Sequence, residues 1–547
     1  MSSKLFKLSV VAASVATTFG AQAALYKVVE ISESQNNTYG LGGYDTEYYG
    51  TAIEQGEIVG QALGCFDGAV PCPDFKIAAE TRNWPAGISY REEVPFAMDN
   101  SFIYADYNEA ADFEYYCDNQ LGYATCDEWG VEQFNGYKQE LNNDYHNSIA
   151  FIEGGTSVST INAVINSLHS NSQAVGNKRV DGTRNQAFAD GQTLSTPTGA
   201  PKVVQTHAWK TDGTYTVGSV SREQDTDGNG IWFYSKPIIW QNGSPIELGF
   251  GNGGVVRDGS ALGQASIRDF YIDNTNVFYG VGYNTYSDQR MDATIYQGST
   301  TDLSKVTIKP VVNAQSGDDY IYTNSVVSSI NKNKIAVGSA KRDGQKAEDG
   351  AANNRLFYVK DVTNPTATYF SGGIFFNGSG GTIGAINDFN EVVGSIDATT
   401  AREIDGSPRT KRGFIYPLDL TGTDSSRLDL FKGKAWLLDD LTNGGEFSTQ
   451  NNYFRILRAS DINGAGVISA TAIKCPSGYV NTNTDALCGD GTPGLETVVA
   501  VKLIPVQGAT SDMIEPRGKT QTTVTREGGS FGWISLLILG VLGFRRK

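Results

Sequence analysis

Asp225-Thr226-Asp227-Gly228-Asn229-Gly230 puts oxygen-bearing side chains at alternate positions, with a glycine for a sharp turn. That spacing fits the first half of a calcium loop, since a hard cation takes carboxylate and amide oxygens. The twelfth residue from Asp225 is Lys236, where an EF-hand needs a bidentate Glu, so a full EF-hand is excluded. A looser Ca2+ site at Asp225, Asp227 and Asn229 competes with a plain Asp/Gly/Asn turn, and no other cofactor is expected. The three histidines, at 146, 169 and 207, leave few candidates for a His-dependent triad. His169 and His207 lie beside apolar strands and read as packing or rim residues. There is no G-x-S-x-G elbow, H-E-x-x-H or Walker loop. Paired carboxylates for glycoside cleavage stay open, because 60 acidic residues offer many pairs and spacing separates none from surface charge.

Six cysteines fall into local pairs, Cys65/Cys72, Cys117/Cys126 and Cys475/Cys488. An even count in an exported chain reads as disulfides, and short loops favour pairing between sequence neighbours. No CxxC occurs and no His accompanies a pair, which argues against zinc.

The ends indicate export. Residues 1–23 read as a signal peptide, with Lys4 and Lys7 ahead of the apolar Leu8 to Phe19 and an Ala21-Gln22-Ala23 cleavage triplet. Signal peptidase would cut after Ala23, or one residue later. At the other end, Gly528-Gly529-Ser530 precedes the apolar run Phe531 to Phe544 and then Arg545-Arg546-Lys547. That run would span only about 21 Å as a helix, short of a hydrocarbon core of about 30 Å, so it suits a transient inner-membrane anchor. Its basic end should stay cytoplasmic. This tail resembles the GlyGly-CTERM sorting segment. The resemblance implies cleavage near Gly528 and Gly529 by a rhombosortase-type protease and delivery to the cell surface or medium. A permanent transmembrane helix is the plain alternative.

The formal charge is −17, and losing both ends removes five cations and no carboxylate, leaving −22. Nucleic acid is therefore excluded as the main partner, since a phosphate backbone needs a basic face. The 547 residues include 63 Gly but only 16 Pro, with 27 Tyr and 25 Phe, a composition suited to many short strands and tight turns.

A pattern recurs through the body: an apolar residue, Asn or Asp, a short turn, then an apolar strand ending at Gly. Ile330-Asn331 leads to Val337-Gly338, Ile386-Asn387 to Val393-Gly394, Ile272-Asp273 to Tyr279-Gly280, and Ile462-Asn463 to Ser469-Ala470. Weaker copies end at Gly60, Gly176 and Gly218. Aromatic strands such as Ile238-Ile239-Trp240 and Gly413-Phe414-Ile415-Tyr416 often follow. The Asn or Asp opens a turn by bonding its own backbone, and the glycine admits a neighbouring backbone. One such unit cannot bury both its faces, so several must stack. A spacing near 55–60 residues predicts an all-β fold, a β-propeller of seven blades, with six or eight open. These motifs resemble the HAF repeat of extracellular bacterial proteins. With both end signals, the whole chain resembles a gamma-proteobacterial surface-protein family that carries a domain of unknown function.

The expected layout is a signal peptide (1–23), a propeller body (24–507), a flexible linker (508–527) and the sorting segment (528–547). Residues 102–145, crowded with Tyr and Phe, interrupt the body as an insertion whose aromatics pack on the rim or form a cap for sugar or peptide. Residues 474–492 read as a second, disulfide-stapled excursion. The leading functional expectation is a surface-exposed or secreted binding module, not an enzyme, for carbohydrate or another surface protein. A carboxylate-dependent polysaccharide hydrolase or lyase and a structural envelope protein are the alternatives.

Overall fold

The computed structural model describes residues 24–31, 46–56, 62–68, 70–84, 109–118, 126–155, 157–225, 231–259, 261–316, 322–342, 348, 353–400, 409–489 and 495–519. The segments expected as signal peptide and sorting tail, with Ala23, Gly528 and Gly529, lie outside them. No helix among the described residues is long and apolar enough to cross a membrane.

The described chain is mostly β. Strand β1 (Tyr26–Glu30) comes first and is held back for the last sheet. Next come β2 (Glu47–Ile53), β3 (Ile77–Arg82) and β4 (Ala150–Ile152), an antiparallel three-stranded sheet. A second sheet follows in chain order as β5 (Ala163–Leu168), β6 (Ala174–Val180), β7 (Thr183–Ala189) and β8 (Gln192–Thr193). The third is β9 (Val203–Thr211), β10 (Tyr215–Asp225), β11 (Ile231–Gln241) and β12 (Ser244–Glu247). A short ribbon, β13 (Arg257–Asp258) with β14 (Ala261–Leu262), precedes two further antiparallel sets. One is β15 (Ser266–Ile272), β16 (Val277–Thr285), β17 (Met291–Ser299) and β18 (Thr307–Pro310). The other is β19 (Tyr322–Ile330), β20 (Ala336–Arg342), β21 (Asn354–Val359) and β22 (Ala367–Tyr369). A single parallel bridge, Met291 to Asn324, joins these two sets. Then come β23 (Gly381–Ile386), β24 (Glu391–Asp397), β25 (Lys411–Pro417) and β26 (Trp436–Leu437). The last sheet is β27 (Phe454–Ile462), β28 (Ile468–Lys474) and β29 (Thr497–Pro505), completed by β1 running antiparallel to β29.

The first strand of each set touches its successor: β2 meets β5, then β9, β15, β19, β23 and β27 follow in turn, and β27 meets β2. Apolar clusters straddle consecutive sets. Ala52 and Ala78 pack with Ile165, Leu168 and Phe188, while Val337 and Leu356 pack with Ile383, Val392 and Phe414. Each set thus relies on its neighbours for burial, and a fully enclosed Phe such as Phe357 contributes about 1.5–3 kcal/mol.

The recurrent Asn has two tasks. Its side-chain oxygen closes its own turn: Asn387 Oδ1 accepts from the Phe389 and Glu391 N–H groups at 3.0 Å each. Its amide reaches the next sheet, Asn331 donating to the Asn387 carbonyl (2.8 Å), Asn387 to that of Asn463 (3.2 Å) and Asn463 to that of Glu54 (3.1 Å). At this same end, the Arg427 guanidinium from α3 (Ser425–Leu430) pairs with Glu391, both side chains being wholly buried.

The recurrent Gly has one task. At Gly176, Gly218, Gly338 and Gly394 an added Cβ would fall 1.8–2.1 Å from a carbonyl oxygen of the preceding strand. Two expected positions need correction. In β16 the counterpart is Gly282, whose Cβ would meet the Ser266 carbonyl at 2.0 Å, whereas Gly280 faces the Phe278 ring. By pairing, the first sheet's counterpart is Ala79, opposite Gly50 beside the bulge, whereas Gly60 lies outside the described residues.

The insertion is helical where described, in α1 (Ala110–Tyr116) and α2 (Cys126–Leu141). Glu109 and Asp112 form a capping box, and Phe113 packs on Phe134 and Tyr137 between the helices. Tyr115 stands outward, 71% exposed. All three expected cystine pairs are present, Cys65–Cys72, Cys117–Cys126 and Cys475–Cys488. The stretch expected as a linker from residue 508 stays packed to 519. Arg517 there is buried and donates to the Asp439 carbonyl in α4 (Leu438–Leu441) at 2.7 Å, and Gly518 accepts from the Thr484 N–H of the stapled loop at 2.9 Å.

Candidate functional site

Every first strand carries a β-bulge at the same place. Pairing to the second strand skips Thr51 in β2, Asn166 in β5, Trp209 in β9, Arg268 in β15, Ser328 in β19, Gly384 in β23 and Ser460 in β27. A bulged residue leaves the ladder and is re-aimed. All seven line one cavity of about 460 Å3. The local cause is the pairing just described: the second-strand glycine yields room for the carbonyl two residues before the bulge, and the bulged residue turns toward the cavity. Ala470, the one-methyl exception foreseen in the sequence, occupies the same register opposite Ala459.

In β15, β19 and β27 the residue after the bulge, Asp269, Ser329 or Asp461, stitches one sheet to the next. Asp269 accepts from Ser329 Oγ (2.8 Å) and the Ile330 N–H (3.1 Å), and Asp461 accepts from the Ile53 N–H (3.0 Å) and Gln55 Nε2 (3.3 Å). Lys210 holds that position in β9. Burial disfavours its ammonium, but Asp269, Asp461 and Asp388 outweigh this and raise its pKa. Burial raises the Asp461 carboxyl, with Lys210 opposing.

Nearer the opposite end of the cavity lie Tyr49, Glu80, Arg82 and Arg458. Arg82 forms an ion pair with Glu80 at 2.9 Å and lies 4.3 Å from the Tyr49 ring centre. Arg268 lies on the Trp209 ring, 3.7 Å from its centroid. Arg458 is exposed. The cavity wall therefore carries four cations (Arg82, Lys210, Arg268 and Arg458) and three carboxylates, and each carboxylate already has a protein partner. Hydroxyls of Thr51, Ser167, Ser328, Ser329, Ser460 and Thr471 make up much of the remainder.

None of these residues was singled out from the sequence. The candidate calcium loop lies elsewhere, at the tip of the β10–β11 hairpin. Asp225 is the last residue of β10, opposite Ile231, and Asp227 and Asn229 lie outside the described residues. Lys236 pairs with Glu247 at 3.4 Å. Among the described residues, no group of three or more His, Cys, Asp or Glu could hold a metal ion. His207 is buried in β9, and His169 begins a tight turn. The bulged residues share neither a residue type nor a fixed distance to the next strand, so only the pairing reveals them.

Residues 245–547 match the model of a protein family described as of unknown function, DUF3466. The chain belongs to that family. No curated protein matches it. Among solved structures, a protein of unknown function from Dyadobacter fermentans is similar at 10% identity over 88% of this chain and 98% of its own, with a TM-score of 0.35. An α-L-arabinofuranosidase from Podospora anserina gives 10% identity over 57% of this chain and 94% of its own, with a TM-score of 0.24. A polysaccharide lyase acting on ulvan gives 10% over 46% and 68%, with a TM-score of 0.28. Likenesses this slight decide nothing about the DUF3466 chain.

Proposed function

We propose that this DUF3466 protein is a seven-bladed β-propeller that works as a binding module, taking its ligand into the central cavity. The observation that carries it is the convergence of seven bulged residues, one from each first strand, on a single cavity of about 460 Å3. That volume suits a small ligand or the end of a chain, since ligand pockets run from about 300 to 1,000 Å3. The blade count is supported by seven first strands contacting in sequence, with β1 beside β29 as the proposed closing strand. Binding is favoured over hydrolysis because Glu80, Asp269 and Asp461 are all engaged in the fold, while two-carboxylate cleavage needs one acid and one base free to act.

The module is further proposed to be exported, with signal peptidase removing residues 1–23 and a rhombosortase-type protease cutting near Gly528-Gly529. Mass spectrometry of the surface form checks this, and an intact Lys547 overturns it. For the ligand, glycans and polysaccharides are screened against the purified protein with and without calcium. Binding without product release supports the reading, and turnover refutes it. Loss of binding on chelation would assign Asp225, Asp227 and Asn229 to a calcium site.

A further inference from the structure

We infer that the cavity selects an anionic saccharide, one bearing a carboxylate or sulfate, and that Arg268 and Arg458 receive its charged group. This rests on the proposed binding role of the cavity and adds the ligand class. The first support is the sign of the wall. Four cations face three carboxylates around one cavity of a chain of net charge −17; Arg82 is paired with Glu80, and Asp269 and Asp461 act on Lys210, so the excess positive charge of the wall is that of Arg268 and Arg458. An anion entering thus meets guanidinium groups and no unengaged carboxylate, so attraction is local even though the whole protein repels anions.

The second support is geometry. Arg268 is fixed in plane by the Trp209 ring at 3.7 Å, and a planar guanidinium of fixed orientation matches the two oxygens of a carboxylate or sulfate. Arg458 precedes Ser460 on β27, which runs toward the Asn turn. It therefore stands nearer the opposite, loop-bearing end, where a ligand would meet it before Arg268. The third support is the rest of the wall. Thr51 Oγ1 and Ser167 Oγ are buried without a hydrogen-bond partner among the described residues, and Ser167 is only 5% exposed. Hydroxyls without partners in a polar cavity suit a ligand that brings hydroxyls of its own.

The test is calorimetric titration of the full chain with four probes. These are an oligouronate, a sulfated galactan oligosaccharide, a neutral maltooligosaccharide and poly-glutamate. Tight binding of the uronate or the sulfated probe is expected, and which of the two binds identifies the anion. Arg458→Ala should weaken that binding at least about tenfold, the loss of one charge-assisted contact. Arg268→Gln should do the same, and rising salt should weaken binding by the wild type. Thermal melting checks that each variant is folded, and exposed Arg458 keeps the test decisive if Arg268→Gln fails to fold. Equal affinity for the neutral probe, or unchanged affinity in folded Arg458→Ala, overturns the anion assignment and leaves the cavity reading standing. Stronger binding of poly-glutamate than of either charged saccharide overturns the saccharide class. Failure of all four probes overturns the cavity reading as well.

Discussion

Asp273 and Asp292 belong to one set of strands, β15 to β18, and lie at its two ends. Asp273, in the Asn-type turn, bonds Lys334 Nζ of the next sheet at 2.8 Å, and that bond, aided by Thr275, holds its carboxyl well below the usual range. Asp292 follows the β16–β17 connection at the other end. Burial pushes its carboxyl up to about 7, although the Ser316 N–H donates to it at 2.8 Å. One end is repetitive and stitched from sheet to sheet by Asn, Asp and the Glu391–Arg427 pair. The other carries the irregular parts: the helical insertion, the candidate calcium hairpin and the stapled loop. The first end therefore carries the repeated sheet-to-sheet bonds, and the second carries the inserted segments.

Five single variants and one double variant can break or sharpen that contrast. Arg427→Met should have the largest effect, because it strands Glu391 as a buried charge. A loss of about 3–5 kcal/mol is expected by denaturant melting, and adding Glu391→Leu should recover part of it. A single-variant loss below that of a loop-end surface change would void the contrast. Next, Gly282→Ala forces a Cβ onto the Ser266 carbonyl and should cost about 1–3 kcal/mol. Gly280→Ala should cost less, since the Phe278 ring can shift, and the reverse order would restore the sequence-based register. Asn387→Ala should follow at about 1–2 kcal/mol, as it deprives buried N–H groups of their acceptor.

The smallest effect concerns Asp292. Its folded pKa lies above the unfolded value of about 3.9, so the folded state holds the extra proton between the two. Its contribution to stability should therefore fall as pH rises from about 4 to about 7 and stay low above that. Asp292→Asn keeps the oxygen that accepts from Ser316 and should flatten this slope and raise stability at pH 8. A melting profile against pH that is unchanged by the substitution would remove Asp292 from the comparison.

The repetitive end was legible in the sequence because its bonds are local: an Asn oxygen reaching an N–H two or four residues on leaves a fixed spacing. The glycine at 282 was missed by two positions because its place depends on a bulge in the partner strand, which spacing along one strand cannot reveal. For the same reason the cavity was invisible. Asn166, Trp209 and Arg268 share no residue type and gain a common role only through the pairing that ejects them. The insertion was legible as an insertion but not as helix, since its dense aromatic content masked the helical signal of the Glu109–Asp112 box and the Phe113/Cys117 spacing.

The pairing of β1 with β29 ties the beginning of the chain to its far end. The strand synthesised first must therefore wait, unpaired, until almost everything else has been made and delivered. During that interval Tyr26 and Val28, both fully enclosed afterwards, remain sticky and available to the wrong neighbour. A chain halted before Thr497 would lack the strand that pairs with β1 and could not shelter them in this way.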